Sequence, residues 1–242
     1  MKSTTAFAMC ALTASATLLS PPALRLHAQT TTPWMDSTGV NVRELTTTGK
    51  STYFILEPGY QLTLAEKGSG KKTQLVITVL PETQNIGGVD TRVVEERETV
   101  GGVPVEVSRN YFAIHPQTHD VFYFGEDVDI YKKGKIAGHD GAWHHGTNKA
   151  RFGLMVPGSP AVGMRYYQEQ AMGVARDRAQ VISLTERIST PAGTFDHCLK
   201  TKETSPLELI LHEFKIYAPG IGLVKDGSLE LISHAYVPAF QE

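Results

Sequence analysis

Between His115 and His145 the chain sets His115, His119, His139, His144 and His145 among Asp120, Asp127, Asp129 and Asp140. Imidazoles and carboxylates are the side chains that hold divalent metal ions. His115 and His119 bracket Pro116-Gln117-Thr118, which reads as a short hairpin loop. On paired strands their Cβ atoms would lie about 5 Å apart on one face, close enough to share an ion. His139 and His144 follow on the next strand and its exit, where a meander brings a third ligand near. Asp120 or Asp140 would add an oxygen ligand, or the acceptor that fixes an imidazole tautomer. Zinc suits three such ligands with an open water position, and metal-bound water would then hydrolyse an ester or a lactone. His144 and His145 project to opposite faces of a continuing strand, so at most one of them would bind. Against this stands a plainer reading: the spacing matches no specific metal motif, and histidines in turns usually face water.

Two other groupings offer different chemistry. Asp127 and Asp129 share one face of a strand and present the hard oxygens that hold calcium, though the glycine-bearing loop of an EF-hand is absent. A solvated strand face beside Lys132, Lys133 and Lys135 explains the same residues without an ion. Phe122, Phe124 and Glu126 alternate onto one face, and with Trp143 they would line a concave site for a small apolar or amphipathic ligand. Common catalytic signatures fail. Gly68-Ser69-Gly70-Lys71-Lys72-Thr73 lacks a hydroxyl residue directly after Lys71 and runs into a strand, whereas a phosphate loop needs a helix N-terminus. His212-Glu213 is followed by Ile216 where a zincin needs its second histidine. No Gly-x-Ser-x-Gly elbow occurs.

The elements that must position these groups are strands. From Tyr60 onward, runs of β-branched and aromatic residues alternate with turns such as Gly87-Gly88, Gly101-Gly102, Lys133-Gly134, Pro219-Gly220 and Asp226-Gly227. Gly-Gly and Asp-Gly fit tight hairpins because both accept positive φ. The rhythm predicts strands over Tyr60–Glu66, Thr73–Thr83, Val89–Val100, Val103–Ile114, Asp120–Tyr131 and Lys135–Trp143. A looser middle follows, and then strands over Gly163–Gln170, Ala179–Thr190, Phe195–Glu203, Leu209–Tyr217, Gly222–Lys225 and Leu229–Tyr236. Alternation puts Val103, Val105 and Val107 opposite Glu106 and Ser108, so one face is expected buried and the other wet. Only minor helix is expected, near Val42 to Leu45 and within Gln168–Arg178. A long antiparallel sheet curls or closes to remove its edges. The expected class is all-β: a curved antiparallel meander sheet, half-barrel to barrel-like, with minor helix.

The chain has 242 residues, a formal charge of −2 and 41% hydrophobic residues, enough for one sizeable core. No basic patch is concentrated, which argues against nucleic acid as a partner. Lys2, the apolar stretch Ala6 to Leu19 and Leu26-His27-Ala28 read as a signal peptide over residues 1–28, too short to anchor in a bilayer. No later segment is apolar enough to span a membrane. The expected product is exported, periplasmic or extracellular, with an irregular lead-in over 29–50 and a single β domain over 51–242. Cleavage would leave Cys198 as the only cysteine, a buried small hydrophobe rather than half of a disulfide.

The motifs Tyr53-Phe54-x-Leu56-x-Pro58-Gly59, Tyr123-Phe124-Gly125-Glu126-Asp127, Gly193-Thr194-Phe195-Asp196, Lys202-Glu203-Thr204-Ser205-Pro206-Leu207-Glu208 and Tyr217-Ala218-Pro219-Gly220-Ile221-Gly222-Leu223-Val224-Lys225 occur in this order. Together they resemble a family of uncharacterised bacterial secreted or lipoprotein-like β domains, over roughly Tyr53 to Ser233. The resemblance implies an envelope or secreted β-sheet protein and carries no catalytic residues with it. The segment from Ile114 to Gly146 departs from it in being rich in histidine. The leading expectation is a binding module for a small apolar or amphipathic ligand. The alternative is a metal-dependent hydrolase of esters or lactones that uses the His and Asp cluster between His115 and His145. Zinc and calcium are the candidate divalent metals of the chain. A third reading is a subunit that adds a partner's strand at an exposed edge.

Overall fold

The computed structural model describes residues 32–36, 39–68, 70 and 72–237, and of 208–211 it describes the backbone alone. The expected signal peptide lies outside the described residues. Among them the chain forms seventeen strands and no α-helix. The first nine are β1 (Gly49–Ser51), β2 (Phe54–Leu56), β3 (Tyr60–Glu66), β4 (Thr73–Ile86), β5 (Val89–Val100), β6 (Val103–Ile114), β7 (Val121–Lys132), β8 (Lys135–Gly138) and β9 (Trp143–His144). Then come β10 (Arg151–Val156), β11 (Arg165–Tyr167), β12 (Glu169–Gln170), β13 (Arg178–Thr190), β14 (Gly193–Ser205), β15 (Glu208–Ala218), β16 (Gly222–Asp226) and β17 (Leu229–Tyr236).

Two meanders make the body. One runs β3-β4-β5-β6-β7 and continues to β10; the other runs β13-β14-β15-β16-β17. They join along β3 and β17, which pair antiparallel from Leu229↔Glu66 to Tyr236↔Tyr60. On the far side a single run serves both. Its first half, β11, pairs with β13, and its second half, β12, pairs with β10. The run steps from one meander to the other at Gln168, and the sheet nearly closes into a barrel. Closure needs the two backbones to touch. A Cβ on Gly153 of β10 would lie 2.2 Å from the carbonyl oxygen of Gln168, so only glycine fits there.

One end of the barrel is plugged by the β1–β2 hairpin. Phe54 packs its ring 5.2 Å from that of Phe112, Tyr53 donates from its hydroxyl to His197 O (3.1 Å), and Gly220 N–H donates to Thr52 O (2.8 Å). Arg92 fastens the lead-in behind it. This guanidinium is buried, donates from Nε to Thr47 O (3.0 Å) and from Nη2 to Thr48 Oγ1 (2.9 Å), and reaches Pro81 O in the bulge of β4. All these acceptors are uncharged, and the attraction of Glu82 does not outweigh burial, which lowers the pKa of the guanidinium. Arg92→Ala is expected to lower stability by about 2–4 kcal/mol, read as a lower urea midpoint. An unaltered midpoint would show that the clamp is idle.

Several expectations need correction. Gln168–Arg178 is not helical: it carries β12, tight turns and the start of β13. The minor helix is one 3₁₀ turn, Val42–Glu44, capped by Asn41. The looser middle hides β10, whose Gly153 weakens the strand pattern because the closing run crosses over it. In β6 the alternation holds only in part: Val107 is buried but Val103 is exposed, and Ser108 and Asn110 of the expected wet face are buried facing inward. The burial of that polar face matters for the site.

Candidate functional site

The register defines what faces the lumen. In β5 the inward series is Val94, Glu96, Glu98; in β6 it is Phe112, Asn110, Ser108, Glu106, paired as Val94↔Asn110, Glu96↔Ser108 and Glu98↔Glu106. In β14 it is Leu199, Thr201, Glu203, and in β15 Tyr217, Lys215, Glu213, paired as Leu199↔Tyr217, Thr201↔Lys215 and Glu203↔Glu213. Lys215 then pairs with Asp226 of β16. Each series passes from apolar to acidic in the same direction along the barrel. The plugged end is therefore an apolar floor and the other end a carboxylate-lined mouth.

The floor contains a cavity lined by Phe54, Tyr60, Leu62, Val79, Val94, Phe112, Met155, Tyr217 and Leu223, with Glu96, Lys215 and Asp226 along its polar side. Its volume is about 60 Å³, room for about two waters or one compact apolar group. Above it the mouth opens in two clefts that share Glu213. One is bordered by Glu66, Glu98 and Glu106, the other by Glu126, Glu169, Asp177 and Glu203.

Lys215 is the only amine among the described residues lining these spaces. Its Nζ lies 3.2 Å from Glu203 Oε2 and 3.6 Å from Asp226 Oδ2. Burial pushes its pKa down, but Glu203 and Asp226 outweigh that and hold it well above the ordinary lysine value. The carboxyls that it does not reach behave oppositely. Burial, with Asp226, Glu106 and Glu203 adding repulsion, raises Glu96 to about 7 against the pull of Lys215. Burial, with Glu96 and Glu106 beside it, raises Glu126 to about 8. Glu169 is pushed well above the carboxylate range by burial, then by Asp177 and Glu126.

Glu126 reaches the lumen through a bulge. Gly125 has φ 132°, and a Cβ there would sit 2.1 Å from Trp143 O. The extra residue rotates the strand, so Glu126 pairs with Asn110 while Tyr123 pairs with Phe112. Glu126 thus shares its face with Tyr123 rather than with Phe122 and Phe124, as simple alternation predicts. Tyr123 donates to Asn110 Oδ1 (2.5 Å) and stacks on Phe112 at 4.8 Å. Phe122 and Phe124 lie on the outer face, packed on Phe152 at 5.9 and 4.7 Å. Trp143 pairs with Glu126 and packs edge-on against Tyr123 at 5.4 Å.

The histidines and aspartates of the first grouping are dispersed. His115 accepts from the Gln117 and Thr118 N–H groups through Nδ1 and places Nε2 3.3 Å from Glu44. His119 adopts φ 60° in the turn, its N–H donating to His115 O. Asp120 accepts from Thr118 Oγ1 (2.7 Å) and from Gly158 N–H (2.8 Å), so both its oxygens hold the loop. His139 sits 3.0 Å from Asp129 and donates from Nδ1 to Val128 O (2.7 Å); His144 sits 3.0 Å from Asp127, which also accepts from Tyr111 (2.6 Å). Asp140 is exposed. His145 packs between Phe124 and Phe152, and burial lowers its pKa. Among the described residues no three His, Cys, Asp or Glu side chains converge as a metal set. Asp127 and Asp129 therefore each face a histidine rather than a common ion.

The residues that sequence reasoning passed over are Glu96, Glu169, Glu203, Lys215 and Asp226. Their signal was present in weak form, as charged residues alternating in phase with apolar ones inside a single strand. Comparison with family models, with curated proteins and with solved structures finds no match to this chain.

Proposed function

We propose that the protein binds a small amphipathic molecule in the barrel lumen. The observation that carries this is the axial gradient: an apolar cavity at the plugged end that leads through Glu96, Lys215 and Asp226 to a polar mouth. A pocket of this kind buries an apolar body and fixes its orientation through a few polar groups. A hydrolase reading has no comparable support, because the ligands that would hold a metal-bound water are spread apart, and His115, Asp120, His139 and His144 are each engaged by a different protein group. The N-terminal pattern Lys2 to Ala28 favours a site of action outside the cytoplasm, where a binding barrel would meet diffusing ligands.

Amide NMR shifts recorded with a panel of phenylalkyl compounds of differing polar ends test the reading. At least one compound is expected to shift the floor residues Val94, Phe112 and Tyr217. Val94→Phe, which fills the cavity, is expected to abolish those shifts while the β-sheet spectrum persists. Shifts confined to the outer surface, or none with any compound, would sink the proposal.

A further inference from the structure

The lumen wall is unbalanced in one respect that bears on the ligand's polar end. It holds a buried acceptor with no partner among the described residues, Gln168 Oε1. Gln168 is 3% exposed, and its side-chain amide lies between Met155 of the floor and Glu203 of the mouth. Its Nε2 donates to Glu203 Oε1 at 3.1 Å, yet its Oε1 is buried without any hydrogen-bond partner. A buried acceptor left this way costs about 1–3 kcal/mol unless something donates to it. Nearby, no hydrogen bond or ion pair from the described residues reaches the carboxyls of Glu96 and Glu169. Lys215 attracts both but offsets their burial only in part, because Glu203 and Asp226 flank its ammonium at 3.2 and 3.6 Å.

The geometry points to a ligand with a compact apolar body and a protonated amine head, the body on the floor and the ammonium among Glu96, Glu126, Glu169 and Gln168. The inference rests on the lumen being the binding site. An ammonium brings three donors, one of which can meet Gln168 Oε1. Its positive charge favours the ionised form of carboxyls that burial otherwise pushes toward protonation. A carboxylate or phosphate head would bring more acceptors and negative charge, and Lys215, the only lysine or arginine among the described residues lining the lumen, is already engaged. A bare metal ion would leave the apolar floor unused, and no convergent donor set awaits it among the described residues.

Three probes of one shape separate the possibilities: 4-phenylbutylamine, 4-phenylbutan-1-ol and 4-phenylbutyrate, each titrated calorimetrically into the full protein at pH 7.5, with calcium chloride as a fourth arm. The amine is expected to bind about tenfold more tightly than the alcohol, as charge-assisted hydrogen bonds exceed neutral ones, and the carboxylate more weakly than either. Glu96→Gln with Glu169→Gln is expected to lower amine affinity about tenfold, toward that of the alcohol. A melt no lower than that of the unaltered protein would confirm the variant's fold. Equal binding of amine and alcohol would overturn the head-group inference and leave the lumen reading standing. Tightest binding by the carboxylate, or a response to calcium without one to the amine, would also overturn it. Failure of all three organic probes would remove the lumen reading itself.

Discussion

The melting temperature of this protein is expected to fall as pH rises from about 5 to 8. Glu96 and Glu126 are raised in the folded state to about 7 and about 8, whereas in the unfolded chain they titrate near 4.5. Between those limits the folded state holds protons that the unfolded state has released. Stability then decreases as pH rises, and the loss is complete once pH passes the folded values. Each tenfold difference in proton affinity between the two states corresponds to about 1.4 kcal/mol. Water in the lumen reduces the effect, so we expect a loss on the order of 3 kcal/mol in all, or about 5–10 °C for a domain of this size. At the acid end the opposite case applies. Burial pushes Glu57 up, but Tyr236 and Lys50 outweigh it and hold the carboxyl below its ordinary value. Its stabilisation is lost as pH drops through the folded pKa. Calorimetry at pH 5, 6.5 and 8 checks the trend. The double variant Glu96→Gln/Glu126→Gln should flatten the decline above pH 5, and an unchanged slope in that variant would place the effect elsewhere.

Removing the Lys215 amine has the second large effect. Glu203 and Asp226 are both mostly shielded from solvent, and Lys215 is their shared counter-ion at 3.2 and 3.6 Å. Lys215→Met leaves two carboxylates facing each other inside a wall that is already acidic. Breaking a buried pair from one side costs about 3–5 kcal/mol, because the remaining charge is uncompensated. The midpoint of urea unfolding should fall accordingly. Neutralising the partners as well, in Lys215→Met/Glu203→Gln/Asp226→Asn, should restore most of the loss. If the triple variant is no more stable than the single one, the penalty comes from lost packing of the lysine stem and not from charge.

The strands themselves were legible. Tyr60–Glu66, Val89–Val100, Val103–Ile114 and Leu229–Tyr236 follow from alternation and glycine turns alone, with the bounds found in the structure. The lumen was not legible for a physical reason. Alternation separates two faces of a strand, but it does not say whether the polar face meets bulk water or the interior of a barrel. Glu96 and Glu98 look like ordinary wet residues in Val89–Val100. They are recognised as lumen residues only when register sets Glu98 opposite Glu106 and the closed sheet brings Glu96 to the same cavity as Lys215 and Asp226, from strands remote in sequence. Gly125 shows the other limit. One glycine inside Val121–Lys132 shifts the phase by a residue, so that Glu126 in place of Asp127 follows Tyr123 on the inner face. The histidines attracted attention by density, and density carried no information about convergence.

The pairing of β3 with β17 has a consequence for how the molecule comes into being. Their ladder joins the first strand of the barrel to the last, at separations such as Leu62↔His234. Contacts this far apart along the chain close slowly, since the ordering entropy is spent before any contact is gained. Local hairpins such as β4–β5 and β13–β14 can zip early. The barrel can close only after β17 has left the ribosome. Until then β3 and β16 present bare edges, which makes the nascent chain dependent on whatever shields unpaired strands during synthesis.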